Sequence, residues 1–128
     1  GDFLSGKQES APEQVCTAEE IRKLKEEVKR VVVEDAVIAY IREIVDRTRQ
    51  EERFVMGAST RALLHLSAAS RAKAFVCGRD FVKPDDVKAL ACNVLHHRLN
   101  LSAESRIRNE DTDGIIKSLI LKVKVPMG

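Results

Sequence analysis

From Thr17 onward, apolar residues recur every three or four positions, the period of a helix with one buried face. Ile21, Leu24 and Val28 mark a first helix ending at Arg30. It is opened by Thr17-Ala-Glu-Glu20, a capping box in which a hydroxyl and a carboxylate satisfy exposed backbone N–H groups. Val31-Val-Val33 is a short β-branched break. A second helix is expected from about Asp35 to near Gln50, with Val37, Ile41, Ile44, Val45 and Thr48 on one face. Residues from Glu51 to Ala58 read as a loop. Ser59 then stands as the N-cap of a long helix running through Phe75 and Val76 and closed by Gly78.

That third helix is poor in bulk: Ala62, Ser67, Ala68, Ala69, Ser70, Ala72 and Ala74 let it approach its neighbours closely, as a central member of a bundle would. Leu66 and Ala69 are expected in the core. Phe81-Val82 is a short extended piece that could pair with Val31 to Val33. Lys83-Pro84-Asp85-Asp86 starts a fourth helix, with Pro at its first position and acids in its first turn. Its inner face is expected to carry Val87, Leu90, Ala91, Val94 and Arg98. A fifth helix runs from about Asp111 to Lys122 and packs Ile115, Ile116, Leu119 and Ile120. The pattern predicts an all-α five-helix bundle with at most a minimal two-stranded β element. Residues 1–16, polar and interrupted by Pro12, read as a linker, and residues 17–128 as the helical domain.

Length supports this picture: 128 residues make one domain able to bury about two-thirds of its unfolded surface. Lys and Arg number 22 against 20 Asp and Glu, a net charge of +2 that is too close to balance to argue for nucleic acid. No apolar run approaches a membrane span and no signal peptide pattern opens the sequence, so a soluble, cytoplasmic protein is expected. The three cysteines, Cys16, Cys77 and Cys92, are widely spaced, which suits reduced thiols. Cys92 and His96 share a helical face and could ligate a metal with Cys77 and His65, but no CxxC or HxxxH pair anchors such a site. The competing reading is small buried hydrophobes and partly exposed imidazoles, and no metal is expected.

The opening GDFLSGKQ comes within one residue of the phosphate-binding pattern GxxxxGK[ST]. Gln8 replaces the hydroxyl that would hold Mg²⁺, and Ser10, Ala11 and Pro12 interrupt the helix that should follow. It is not read as a P-loop.

One helix start breaks the charge rule. Acids favour the positive end of a helix, and Glu19, Glu20, Asp35, Asp85, Asp86, Asp111 and Asp113 all obey it. The start Gly57-Ala-Ser-Thr-Arg61-Ala62 instead places Arg61 at the second helical position with no acid beside it. Two readings stand. Free backbone N–H groups and a guanidinium can together hold an anion such as phosphate. Alternatively, Arg61 pairs with a carboxylate of the second helix, Asp46 or Glu43. Arg71, Lys73, Arg79, Arg106 and Arg108 could contact a partner, or simply solvate helical faces beside Asp80 and Glu104. His96-His97-Arg98 suits the negative end of the fourth helix. No Ser/His/acid set, carboxylate pair or HExxH motif can be assembled, so no catalytic residue is expected in this stretch.

The run GASTRALLHLSAASRAKAFVCGRDFVKPDDVKALACNVLHHRLNLS, Gly57 to Ser102, resembles the C-terminal lid domain of the MoxR family of AAA+ ATPases. Val31 to Gln50 is similar to that family's second lid helix, and the closing IIKSLILKVKVP to its C-terminal helix. GASTR, GRDFVKPDDVKAL and HHRL are the most specific parts. The sequence departs at Thr60, where Pro is common, and at Glu34, where a capping Ser is common.

The resemblance implies that Arg61 is the second sensor arginine, approaching the γ-phosphate of ATP, with Ser59 and Thr60 at the same nucleotide-facing turn. It implies an upstream AAA+ core carrying the Walker motifs, a homo-oligomeric ring, ATP and Mg²⁺ in the parent protein, and partners with von Willebrand factor A domains. The stretch itself would neither hydrolyse ATP nor bind it tightly, and neither nucleic acid nor membrane is expected as a partner. The alternative is a free-standing helical module binding protein, or nucleic acid through Arg61, Arg71 and Lys73.

Overall fold

The structure, a computed structural model, describes residues 17–126. The linker expected over residues 1–16, the GDFLSGKQ stretch and Cys16 lie outside the described residues. Six helices and one small sheet follow one another: α1 (Ala18–Lys29), α2 (Asp35–Gln50), β1 (Phe54–Met56), α3 (Thr60–Val76), α4 (Pro84–Leu95), β2 (Asn100–Leu101), α5 (Ala103–Ile107) and α6 (Thr112–Lys122). A 3-10 turn, His96–Arg98, links α4 to β2. The bundle is therefore all-helical in its substance, with five substantial helices and the short α5.

Helix boundaries follow local chemistry closely. Thr17 Oγ1 accepts from the Glu20 N–H at 3.1 Å and Glu20 Oε1 accepts from the Thr17 N–H at 2.9 Å, the expected capping box. Asp111 Oδ2 caps α6 by accepting from the Gly114 N–H at 3.0 Å. At the end of α3, Gly78 takes φ +79°, the left-handed conformation that glycine adopts without steric cost. The Arg79 N–H then reaches back to the Ala74 carbonyl and the Gly78 N–H to that of Phe75, both at 2.9 Å.

Two expectations about the β element need correction. The expected pairing of Val31–Val33 with Phe81-Val82 is reduced to one parallel bridge, Val32 to Phe81. The sheet proper joins β1 and β2, antiparallel, with Phe54 opposite Leu101 and Met56 opposite Asn100. β1 lies in the stretch read as a loop. It is only three residues long with one buried side chain, too short to show an alternation, and its partner is more than forty positions away. The stretch between the fourth and fifth expected helices, to which the sequence assigned no element, likewise contains α5. Ser102 caps it by accepting from the Ser105 N–H at 3.1 Å, and Asn109 closes it at φ 59°.

Within the core, α3 packs most extensively on α4 and also touches α1 and α2, while α6 packs on α2 and α4. Ile41, Ile44, Leu66, Leu95 and Ile116 are the largest fully buried apolar side chains. Val37, Ile41, Ile44, Val45 and Thr48 are all buried as expected, joined by Tyr40. Two inner faces are corrected. On α3 it is Ser70 that is buried and Ala69 only half-buried. On α4, Leu95 is buried and Arg98 exposed, because the helix tightens into the 3-10 turn at His96 and the 3.6-residue spacing no longer applies. α1 buries no residue fully, and Ile21 and Leu24 remain partly open. Among the described residues, no helix is long and apolar enough to cross a membrane.

Candidate functional site

Arg61 is exposed at the start of α3. Thr60 is the first helical residue and Ser59 the N-cap, with extended backbone (φ −84°, ψ 173°). Ser59 makes no side-chain capping bond, so the capping expected of it comes only from its backbone carbonyl, which accepts from the Ala62 N–H at 2.9 Å. The first turn of α3 contains no acid, whereas α1, α2, α4, α5 and α6 each carry at least one. This start thus keeps its positive end unneutralised by side chains of its own turn.

The two carboxylates that could have paired with Arg61 have other partners. Glu43 accepts from Arg47 at 3.3 Å and Asp46 from Arg49 at 3.4 Å, and among the described residues Arg61 makes no ion pair or hydrogen bond. Its charge is available to a ligand. One turn further along the same face, His65 Nδ1 meets Arg98, whose guanidinium also donates to the Val94 carbonyl at 2.9 Å.

The position of this helix start is set from below by α2. Thr48, which is 0% exposed, donates its hydroxyl proton to the Val45 carbonyl at 2.6 Å. The same oxygen accepts from the Ala58 N–H at 3.0 Å, and Arg49 Nε donates to the Ala58 carbonyl at 2.7 Å. Gly57 lies so close to α2 that an added Cβ would fall 2.3 Å from Arg49 Cα and 2.6 Å from its backbone nitrogen. Gly57→Ala is therefore expected to force α2 and the loop apart, destabilising the protein by about 1–3 kcal/mol. Denaturant unfolding measures this, and an unchanged midpoint would refute the close approach. Sequence reasoning placed Thr48 on the buried face and missed its role. The available signal was that a hydroxyl buried among Ile and Val must find a partner.

The other basic residues are dispersed. Lys73 lies 3.7 Å from Asp86 and Arg108 pairs with Glu104 at 3.1 Å. Arg79, read beside Asp80, instead forms a two-pronged pair with Asp86, both contacts 2.7 Å. The Arg79 guanidinium, the Lys83 backbone N–H and the Lys73 charge hold the Asp86 carboxyl below its ordinary range against the opposing effect of burial. Of the sulfur and imidazole groups weighed as metal ligands, Cys77 is exposed and not a buried hydrophobe, Cys92 is half-buried, and His96 contacts Asp113 at 2.8 Å. Burial raises the Cys92 thiol above its ordinary value. Among the described residues, no group of three or more His, Cys, Asp or Glu could hold a metal ion.

The chain is similar to known proteins over most of its length. The family model "AAA lid domain" matches residues 46–119, from the end of α2 into α6. The chain is 35% identical over 98% of its length to the uncharacterized protein YeaC of Bacillus subtilis, and 31% identical over 88% of its length to Chaperone MoxR1 of Mycobacterium tuberculosis. A crystal structure from Cytophaga hutchinsonii, provisionally described as an ATPase, superposes on 84% of the chain with a TM-score of 0.76 and 33% identity. The chain spans 41% and 32% of the two curated relatives and 34% of the crystallised protein.

Proposed function

Since this chain belongs to the AAA lid domain family and is related to the C-terminal region of the MoxR proteins, we propose that it presents Arg61 to ATP in a larger ATPase. In this reading Arg61 is the second sensor arginine, aimed with the Ser59–Thr60 turn at the γ-phosphate. The observation that carries it is the exposed Arg61 guanidinium at the only described α-helix start with no acid in its first turn, without a described carboxylate partner. Those groups suit phosphate: a planar, permanently charged fork beside free backbone N–H groups. Arg61 supplies charge and orientation, while nucleotide cradling, Mg²⁺ coordination and water activation belong to an upstream AAA+ core.

Residues 1–16 would then link that core to the lid of residues 17–128, in a homo-oligomeric cytoplasmic ring. ATP binding and hydrolysis would couple through lid movement to chaperone-like remodelling of partner proteins, including those with von Willebrand factor A domains. The relative called Chaperone MoxR1 supports that direction. A nucleic-acid module using Arg61, Arg71 and Lys73 finds less support, because Lys73 is engaged near the Asp86 carboxylate.

The test is Arg61→Ala in the full-length protein. Turnover is expected to fall about 10²-fold or more, the scale of losing one charge-stabilising donor in a transition state. Stability is expected to change by no more than about 0.5 kcal/mol, as for an exposed side chain without a partner. Normal turnover combined with a large drop in the unfolding midpoint would make Arg61 a structural residue and end this reading.

A further inference from the structure

The geometry points to Thr48 as a positioning residue for Arg61, holding through the Ala58 amide the place where the helix carrying that arginine begins. The inference rests on the role of Arg61 given above. No side chain of α3 fixes its start: Ser59 contributes no side-chain cap and no acid stands in the first turn. Both polar groups of Ala58 are instead gripped by consecutive residues of α2. Its N–H goes to Thr48 Oγ1 at 3.0 Å and its carbonyl to Arg49 Nε at 2.7 Å.

The Thr48 hydroxyl is itself oriented, since its proton goes to the Val45 carbonyl at 2.6 Å and leaves a lone pair for the amide. Thr48 and Ala58 are 0% and 1% exposed, so water cannot readily take over either bond. Arg61 follows Ala58 by three residues, and Gly57 on the other side is pressed against the Arg49 backbone. A shift at Ala58 therefore moves the backbone from which the Arg61 side chain projects. Where a charged group must meet a transferring phosphoryl group, a displacement of ~1 Å is enough to cost on the order of 10²-fold in rate. Thr48 never meets the nucleotide in this scheme; it acts only through the helix start.

The experiment uses the full-length protein with Thr48→Val, which keeps the shape and removes the hydroxyl, and Thr48→Ser, which keeps the hydroxyl. Turnover is expected to fall about tenfold in Thr48→Val and to stay near wild type in Thr48→Ser. In an Arg61→Ala background, Thr48→Val should produce no further fall, because the group it positions is gone. An equal loss in both backgrounds would mean that Thr48 acts through general stability and would overturn the proposal. Amide exchange across residues 57–62 gives a readout independent of turnover, expected to be roughly fivefold faster or more in Thr48→Val and unchanged in Thr48→Ser. If Arg61→Ala leaves turnover intact, the reading of Arg61 fails by itself. Faster exchange in Thr48→Val would then still support its hold on the helix start, and unchanged exchange would refute it.

Discussion

Leu66→Ala is expected to destabilise the protein by about 2–5 kcal/mol, a large share of the roughly 5–15 kcal/mol that holds a domain of this size together. Leu66 is 0% exposed and sits in the middle of α3, the helix that packs on α1, α2 and α4. Truncation removes the transfer energy of the lost carbons and leaves a cavity whose size depends on how far the walls can move. Here the other fully buried residues of α3 are Ala62, Ser70 and Ala74, whose side chains are too short to swing into the gap. Chemical denaturation of wild type and variant checks the prediction, with the transition slope held as a control for compactness. A loss below about 1 kcal/mol would mean that the bundle relaxes around the site and that α3 is not its rigid centre.

Asp86→Ala is expected to cost about 3 kcal/mol, by a different mechanism. Asp86 is 1% exposed, and its carboxylate accepts two bonds of 2.7 Å from Arg79 and one of 2.8 Å from the Lys83 N–H. These bonds tie the end of α3 to the start of α4 across the turn at Gly78. Removing the carboxylate loses charge-assisted bonds and strands the Lys83 amide, while Arg79, 21% exposed, can still be partly hydrated. That hydration keeps the cost at the lower end of what breaking a buried pair entails.

Acidity supplies a second check. Arg79, first, and then the Lys83 amide hold the Asp86 pKa below its ordinary value of 3.8. The stabilisation is therefore complete above that value and is lost as pH falls through the lower value of the folded state. The stability difference between wild type and Asp86→Ala should thus be constant near neutral pH and shrink below about pH 4. A difference that grows on acidification would show that the carboxyl is not held ionised by this pair.

Much of this architecture was legible along the chain because it rests on contacts between residues four apart or fewer. Thr17 with Glu20, Pro84 at the head of α4, Asp111 before α6 and Gly78 after α3 each act on their own helix, and apolar spacing marked the inner faces of α2 and α6. Arg61 stood out for the same reason, since the mismatch between a cation and a helix start is a local property. What stayed hidden depends on residues far apart in sequence. β1 finds β2 across the chain, and neither strand is long enough to announce itself. Arg79 passes over adjacent Asp80 for Asp86, which is brought within reach when the end of α3 and the start of α4 converge. Thr48 meets Ala58 only because Gly57 lets the loop lie against α2. The chain by itself determined where α1, α2, α3, α4 and α6 begin and which side α2 and α6 would bury, because hydrogen-bond satisfaction and amphipathic period act over one turn. Tertiary structure alone decided that Asp86 would take Arg79 and that Thr48 and Arg49 would hold Ala58 below the start of the helix carrying Arg61, because long-range ion pairs and buried hydroxyls go to whichever partner the packing brings within about 3 Å.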